Sequence, residues 1–420
     1  MHQKELLPNG LRIVTNSMPH ARSACIGIFM GAGSRYEAGD KAGVFHFIEH
    51  MSFKGTSRRP TAMEVSTVIE ELGGGLNGGT DKELTVYWAK VPASHFPVGV
   101  DVLADMIRHS KFDADDIEKE RQIIIEELNM TQDAPYQLVD FLIDELLWPN
   151  QPLGGDPAGT KETVCSLTRA DMLDHIGHQY LPNQTVISIA GNVSHAEAVD
   201  VIGKAFADWQ PGKPLPWYPA QDSQDSARMQ IEQRDTEQAH LCLAVKGLPH
   251  DHPDRFNLDL LNVILGEGMS SRLFAEIRDR RGLAYSIGSG VDHFMDSGSL
   301  TIYAGVAPRC LYDTVAAILQ ELHSFKDRVP DVELTKAKDL SKGRFLLRME
   351  DTYNVTRWLG SQELLLDRIL TEDEAISIID SIEPGGLQRV AQNLFVTDKI
   401  SLSVVGPVDD EEKLAGLLKL

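Results

Sequence analysis

Two histidines four residues apart, His46 and His50, bracket Glu49 in the run His-Phe-Ile-Glu-His. On a helix such positions differ by about 40° in azimuth, so both imidazoles point the same way and can share one cation. Glu49 lies about 60° from His46 on that wheel, close enough to reach a metal-held water without being a ligand. Neutral imidazoles suit zinc, and a catalytic zinc takes three protein ligands and keeps a fourth position open. Phe45, Phe47, Ile48 and Met51 surround the polar trio, which predicts a partly buried helix. Buried polar groups need partners, and a metal supplies one. By itself the string is weak, since with 14 histidines in 420 residues chance produces it in roughly a few per cent of chains.

A third ligand must come from elsewhere, and the run Glu120-Arg121-Gln122-Ile123-Ile124-Ile125-Glu126-Glu127-Leu128 has a helical pattern. Glu120 and Glu127, seven apart, differ by only about 20° and share a face, while Glu126 is turned away by about 120°. That places Glu127 as the candidate ligand, Glu126 as its fallback, and Glu120 two turns away as a group that could orient a histidine. The competing explanation is a charged face in water. His175 and His178, with Asp171, Asp174 and Gln179 around them, read as a solvated helix face rather than a second metal site.

The elements that position these residues repeat. A Pro-rich polar segment, residues 210–228, divides the chain into halves of 1–209 and 229–420. Each half opens with a strand (Ala24–Met30 against His240–Val245) and continues with a helix (Val44–Phe53 against Phe256–Leu265). A strand ending in proline follows (Thr85–Pro92 against Leu300–Pro308), and each half closes on a strand and an acidic-capped helix (Val186–Val193 against Ile400–Val408). This order predicts a duplicated α+β domain, each copy an antiparallel or mixed sheet with helices on one face, because strands and helices do not alternate as a doubly wound fold requires. Only the first copy carries the histidine pair.

Bulk properties narrow the class. A formal charge of −22 with no basic stripe argues against nucleic acid as a partner. No run approaches the roughly 20 apolar residues needed to span a bilayer. The four scattered cysteines and the turn-and-strand start at Pro8-Asn9-Gly10 fit a reducing, cytoplasmic setting.

At this point the chain resembles the pitrilysin/insulinase family of zinc peptidases, whose His-x-x-Glu-His order reverses that of thermolysin-type enzymes. It is similar in particular to bacterial proteins that look like the catalytic subunit of mitochondrial processing peptidase. The resemblance is carried by Gly43–Thr56, by the Glu-x6-Glu pair, by Gly74–Glu83, by the loop Gln151–Thr160 and by Gly268–Tyr285. It implies zinc, one ion per chain, on His46, His50 and Glu127, with Glu49 as base and Glu120 behind the ligands. Asn77, Gly78 and Thr80 fall on an edge strand that pairs with substrate backbone, although alanine is usual where Gly78 stands. Arg278 and Tyr285 fall on the family's substrate-binding pair, Tyr285 also steadying charge on the scissile carbonyl. The implied fold is that of the processing-peptidase-like metallohydrolases. The implied assembly is a homodimer whose site is completed by the partner's Arg/Tyr pair, acting on unfolded peptides in a closed chamber. The family's alternative is a catalytically silent structural subunit.

Overall fold

Six strands of the first half form one sheet, and five of the second form another. The computed structural model describes residues 2–420. In chain order the strands are β1 (Gln3–Leu6), β2 (Arg12–Ser17), β3 (Ser23–Met30), β4 (Gly75–Thr80), β5 (Thr85–Pro92) and β6 (Thr185–Gly191), then β7 (Arg228–Glu232), β8 (Ala239–Lys246), β9 (Ala284–His293), β10 (Gly298–Val306) and β11 (Ser401–Val405). The sheet orders are β1-β2-β6-β3-β5-β4 and β7-β11-β8-β10-β9. With β1 set aside, the two sheets match strand for strand. In each, one outer pair is parallel (β2/β6, β7/β11) and the remaining pairs are antiparallel. The expected α+β architecture with mixed sheets is what the chain adopts.

Successive strand residues point to opposite faces, and β3 shows what each face meets. Ala24, Ile26, Ile28 and Met30 join the core formed with Val44, Phe47, Ile48 and Met51 of the helix Val44–Ser52. On the other face, the hydroxyl of Thr356 donates to the Cys25 carbonyl at 3.2 Å, and Gly27 and Gly360 make room for Phe29 and Thr356. Thr356 and Gly360 belong to the helix Thr352–Leu366, which comes from the second half of the chain. The second sheet repeats the arrangement. Leu241, Leu243 and Val245 of β8 enter one core. Cys242 and Ala244 pack with Leu138, Val139 and Ile143 of the helix Pro135–Leu147, which comes from the first half.

Each sheet is therefore covered on both faces, where the sequence predicted helices on one. The extra cover is a single helix lent by the opposite half. Cover on two sides explains why β3, β6 and β11 are buried at nearly every position instead of alternately.

The packing units are discontinuous as a result. One runs through Leu128 and adds Asp156–Tyr218 and Leu346–Thr371; the other comprises Asn129–Gly155, Pro219–Phe345 and Glu372–Leu420. The boundaries 1–209, 210–228 and 229–420 thus describe the order of the duplication along the chain rather than these units. The Pro-rich segment is divided between them at Tyr218/Pro219. Its first part is tied down: the Tyr218 carbonyl accepts from the buried Arg35 guanidinium at 3.0 Å, and Trp217 stacks 4.4 Å from that guanidinium. Among the described residues no helix is long and apolar enough to cross a membrane.

Candidate metal centre

The helix Val44–Ser52 starts in a built socket. Gly43 has φ 89°, and a side chain there would strike the Ala158 carbonyl, so glycine is required. The Glu37 carboxylate accepts from the Gly43 and Phe45 N–H groups at 2.7 and 2.9 Å, capping two donors that a helix start leaves unpaired. Burial raises the Glu37 pKa to about 7, with the N–H bonds from Phe45 and Gly43 opposing. Phe45, Phe47, Ile48 and Met51 are fully buried, which fixes the helix azimuth and with it the direction of His46 and His50.

Those two rings lie 4.6 Å apart between centroids. Glu127, on the helix Ala114–Asp133, places Oε2 3.5 Å from His50 Nε2 and 3.9 Å from His46 Nε2. The three ligand atoms lie within 4.8 Å of one another, the one such grouping among the described residues. Tetrahedral zinc with bonds of about 2.0–2.1 Å separates its ligand atoms by about 3.3 Å. The 3.5 and 3.9 Å distances to Glu127 come close to that separation, and two imidazoles with one carboxylate is a zinc donor set. Glu126, one residue earlier, is exposed and outside the grouping.

The second nitrogen of His50 is accounted for. Its Nδ1 lies 3.1 Å from Glu120 Oε2, and the other Glu120 oxygen lies 2.5 Å from Lys54 Nζ. Burial opposes a charge on His50, but the Glu120 hydrogen bond and the Glu127 and Glu49 carboxylates outweigh it and raise the pKa. That acidic shell favours a cation at the ring, proton or metal. His46 behaves oppositely: burial, helped by His50, lowers its pKa to about 4 and leaves the imidazole neutral near pH 7. Its Nδ1 is buried without a hydrogen-bond partner.

Glu49 faces the edge strand β4. Its Oε2 accepts from the Thr80 hydroxyl at 2.9 Å, and its Oε1 faces Gly78, where an added Cβ would stand 3.2 Å away. Burial raises the Glu49 pKa, with the Thr80 hydrogen bond working against it. Asn77, Gly78 and Thr80 lie on β4, which among the described residues pairs with β5 alone and leaves its other edge free.

Arg278 and Tyr285 lie in the second unit, close to each other. Arg278 sits in a π-helical segment, Phe274–Arg280, with its guanidinium 4.7 Å from the Phe274 ring centre and 5.8 Å from that of Tyr285. Tyr285, near the start of β9, is 75% exposed. His175 departs from the sequence reading: it is buried edge-on against Phe45, its Nδ1 2.7 Å from the Asp171 carbonyl. His178 is the exposed one of that pair.

Two groups at the site escaped the sequence reading. Lys54, four residues after His50, is reachable by helix periodicity. Glu37 is not, because an irregular stretch separates it from the helix it caps.

Two family models match the chain. Residues 12–161 match the model described as insulinase (peptidase family M16), and residues 166–341 match the one described as the peptidase M16 inactive domain. A Bacillus subtilis protein described as an uncharacterized zinc protease is 37% identical over 401 residues, covering 95% of this chain and 97% of that protein. The chain belongs to the insulinase family of peptidases. His46, Glu49, His50, Glu120 and Glu127 all fall in the part matched by the first model, and none in the part matched by the inactive-domain model. The fold is shared with a crystal structure of a protease from Helicobacter pylori (TM-score 0.91, 23% identity, 97% of this chain and 99% of that one). It is shared also with a Pseudomonas fluorescens structure described as a peptidase M16 inactive domain (TM-score 0.90, 18% identity, 97% and 98%).

Proposed function

We propose that this insulinase-family chain is a zinc endopeptidase cutting oligopeptides or unfolded polypeptides, with zinc held by His46, His50 and Glu127. The observation that carries the reading is the convergence of His46 Nε2, His50 Nε2 and Glu127 Oε2 beside the half-buried Glu49 carboxylate. The relatives' description as zinc proteases supports it.

When bound, zinc supplies Lewis acidity, which acidifies water and polarises a carbonyl oxygen. The chain's own groups do the rest. Glu49 accepts a proton from the attacking water, and its raised pKa lets it keep that proton until the leaving amine takes it. Glu120 holds His50 by Nδ1 so that Nε2 faces Glu127. The free edge of β4 offers N–H and C=O groups to an extended peptide, which selects unfolded segments. Arg278 grips substrate backbone and the Tyr285 hydroxyl donates to the developing oxyanion. The exposure of Tyr285 is consistent with a role outside its own core.

By family resemblance, Arg278 and Tyr285 act on the site of a second copy, in a homodimer enclosing a chamber with two equivalent sites. The alternative, a catalytically silent structural subunit, finds an echo in the inactive-domain match, but that match stops short of the metal residues.

Chelation of the purified protein should abolish cleavage of an unfolded peptide, and zinc should restore it. Cleavage that survives full removal of the metal contradicts the proposal.

A further inference from the structure

The family resemblance puts Thr80 among groups that touch substrate, but its side chain is engaged elsewhere. The Thr80 hydroxyl donates to Glu49 Oε2 at 2.9 Å, and the Thr80 backbone N–H bonds the same carboxylate. Thr80 is itself braced. It pairs with Thr85 at the turn end of the β4–β5 hairpin. The Thr85 hydroxyl, 3.4 Å from that of Thr80, donates to the Ala32 carbonyl at 3.0 Å. Thr85 is fully buried, so the brace is rigid. The other Glu49 oxygen faces Gly78, where a side chain would crowd it, its Cβ standing 3.2 Å from that oxygen and 3.1 Å from the Phe53 ring.

A glutamate has three rotatable side-chain bonds, and a general base works only with one oxygen free and aimed at its proton. The Thr80 hydroxyl on Oε2, and no side chain at Gly78 to occupy Oε1, give that asymmetry. We infer that Thr80 is a positioning residue for the Glu49 base and not a substrate contact. The inference rests on the reading of Glu49 as base. It makes β4 a strand with two duties: its free backbone edge faces the peptide, and its last side chain aims the base.

The test compares full-length wild type, Thr80→Val, Thr80→Ser and Glu49→Gln. Thr80→Val matches the shape of threonine without the hydroxyl and should lower kcat by about 10²-fold, with KM within about twofold. Zinc content should be unchanged, and Thr80→Ser should recover kcat to within about threefold. A raised KM at preserved kcat, or full activity in Thr80→Val, overturns the inference and returns Thr80 to substrate binding or to no role. A crystal structure of metal-free Thr80→Val gives a readout independent of turnover. The Glu49 carboxylate should leave its position in that variant and keep it in Thr80→Ser; a carboxylate unmoved in Thr80→Val overturns the inference. If Glu49→Gln keeps wild-type turnover, the assignment of the base fails instead, whatever Thr80 does.

Discussion

Glu120 Oε2 lies 3.1 Å from Nδ1 of His50, and the opposite nitrogen of the same ring lies 3.5 Å from Glu127. One helix thus approaches the imidazole from both ends, through residues two turns apart. In the proposed site the first contact orients the ring and the second would supply the companion ligand. Glu120 is almost wholly buried and its pKa is lowered, burial being outweighed by hydrogen bonds from His50 and Lys54.

Glu120→Gln should therefore weaken zinc binding by about 10-fold and Glu120→Ala by up to about 100-fold, the range found for groups that orient metal-binding histidines. Competition with a chromogenic chelator measures it. Affinity unchanged in Glu120→Ala would mean that packing alone orients His50.

Glu37 predicts a pH dependence of stability. Its pKa in the folded protein is about 7, against an ordinary value of 4.5, because it is buried. The folded state thus holds this proton more tightly than the unfolded chain does. Its contribution is fully present below about pH 4.5 and is lost as pH rises through 7, at most about 3 kcal/mol. Glu37→Gln cannot ionise, so between pH 5 and 8 the metal-free wild type should lose stability relative to the variant. Urea unfolding at both pH values measures the difference, and parallel curves would refute it.

How much of this was legible in the sequence follows from which contacts are local. His46, Glu49 and His50 sit on one helix, and Glu120 and Glu127 on another, so the 3.6-residue period placed each set on a face. The duplication was visible because Ala24–Met30 and His240–Val245 keep strand patterns of the same kind. The exchanged helices were not. Nothing in the period of Thr352–Leu366 says that its small face, Thr356 and Gly360, seats on Cys25 and Phe29 more than 300 positions away. Thr80's grip on Glu49 was likewise hidden, because an edge-strand hydroxyl can turn to solvent, substrate or a neighbouring helix with the same local pattern.

Gly360→Ala tests the exchanged helix. In an exposed helix this change stabilises by up to about 1 kcal/mol. At Gly360 the new Cβ would overlap the buried Phe29 ring, so the sign should reverse and the protein should lose about 1–3 kcal/mol. Denaturant midpoints decide it; a stabilised variant would show that the helix does not seat on β3.

Completion of the site by a second subunit predicts complementation. Glu49→Gln and Tyr285→Phe homodimers should each be crippled, while co-refolded mixtures should regain one intact site in each heterodimer. Heterodimers that form but recover no activity would contradict the shared site.

The central claim is that His46, His50 and Glu127 hold the metal while Glu49 moves the proton, and Glu49→Gln separates these duties. The decisive measurement is turnover of an unfolded peptide by Glu49→Gln protein whose zinc content has been determined. We predict about one zinc per chain and a rate lower by about 10²–10⁴-fold. Wild-type turnover in that zinc-loaded variant would contradict the account.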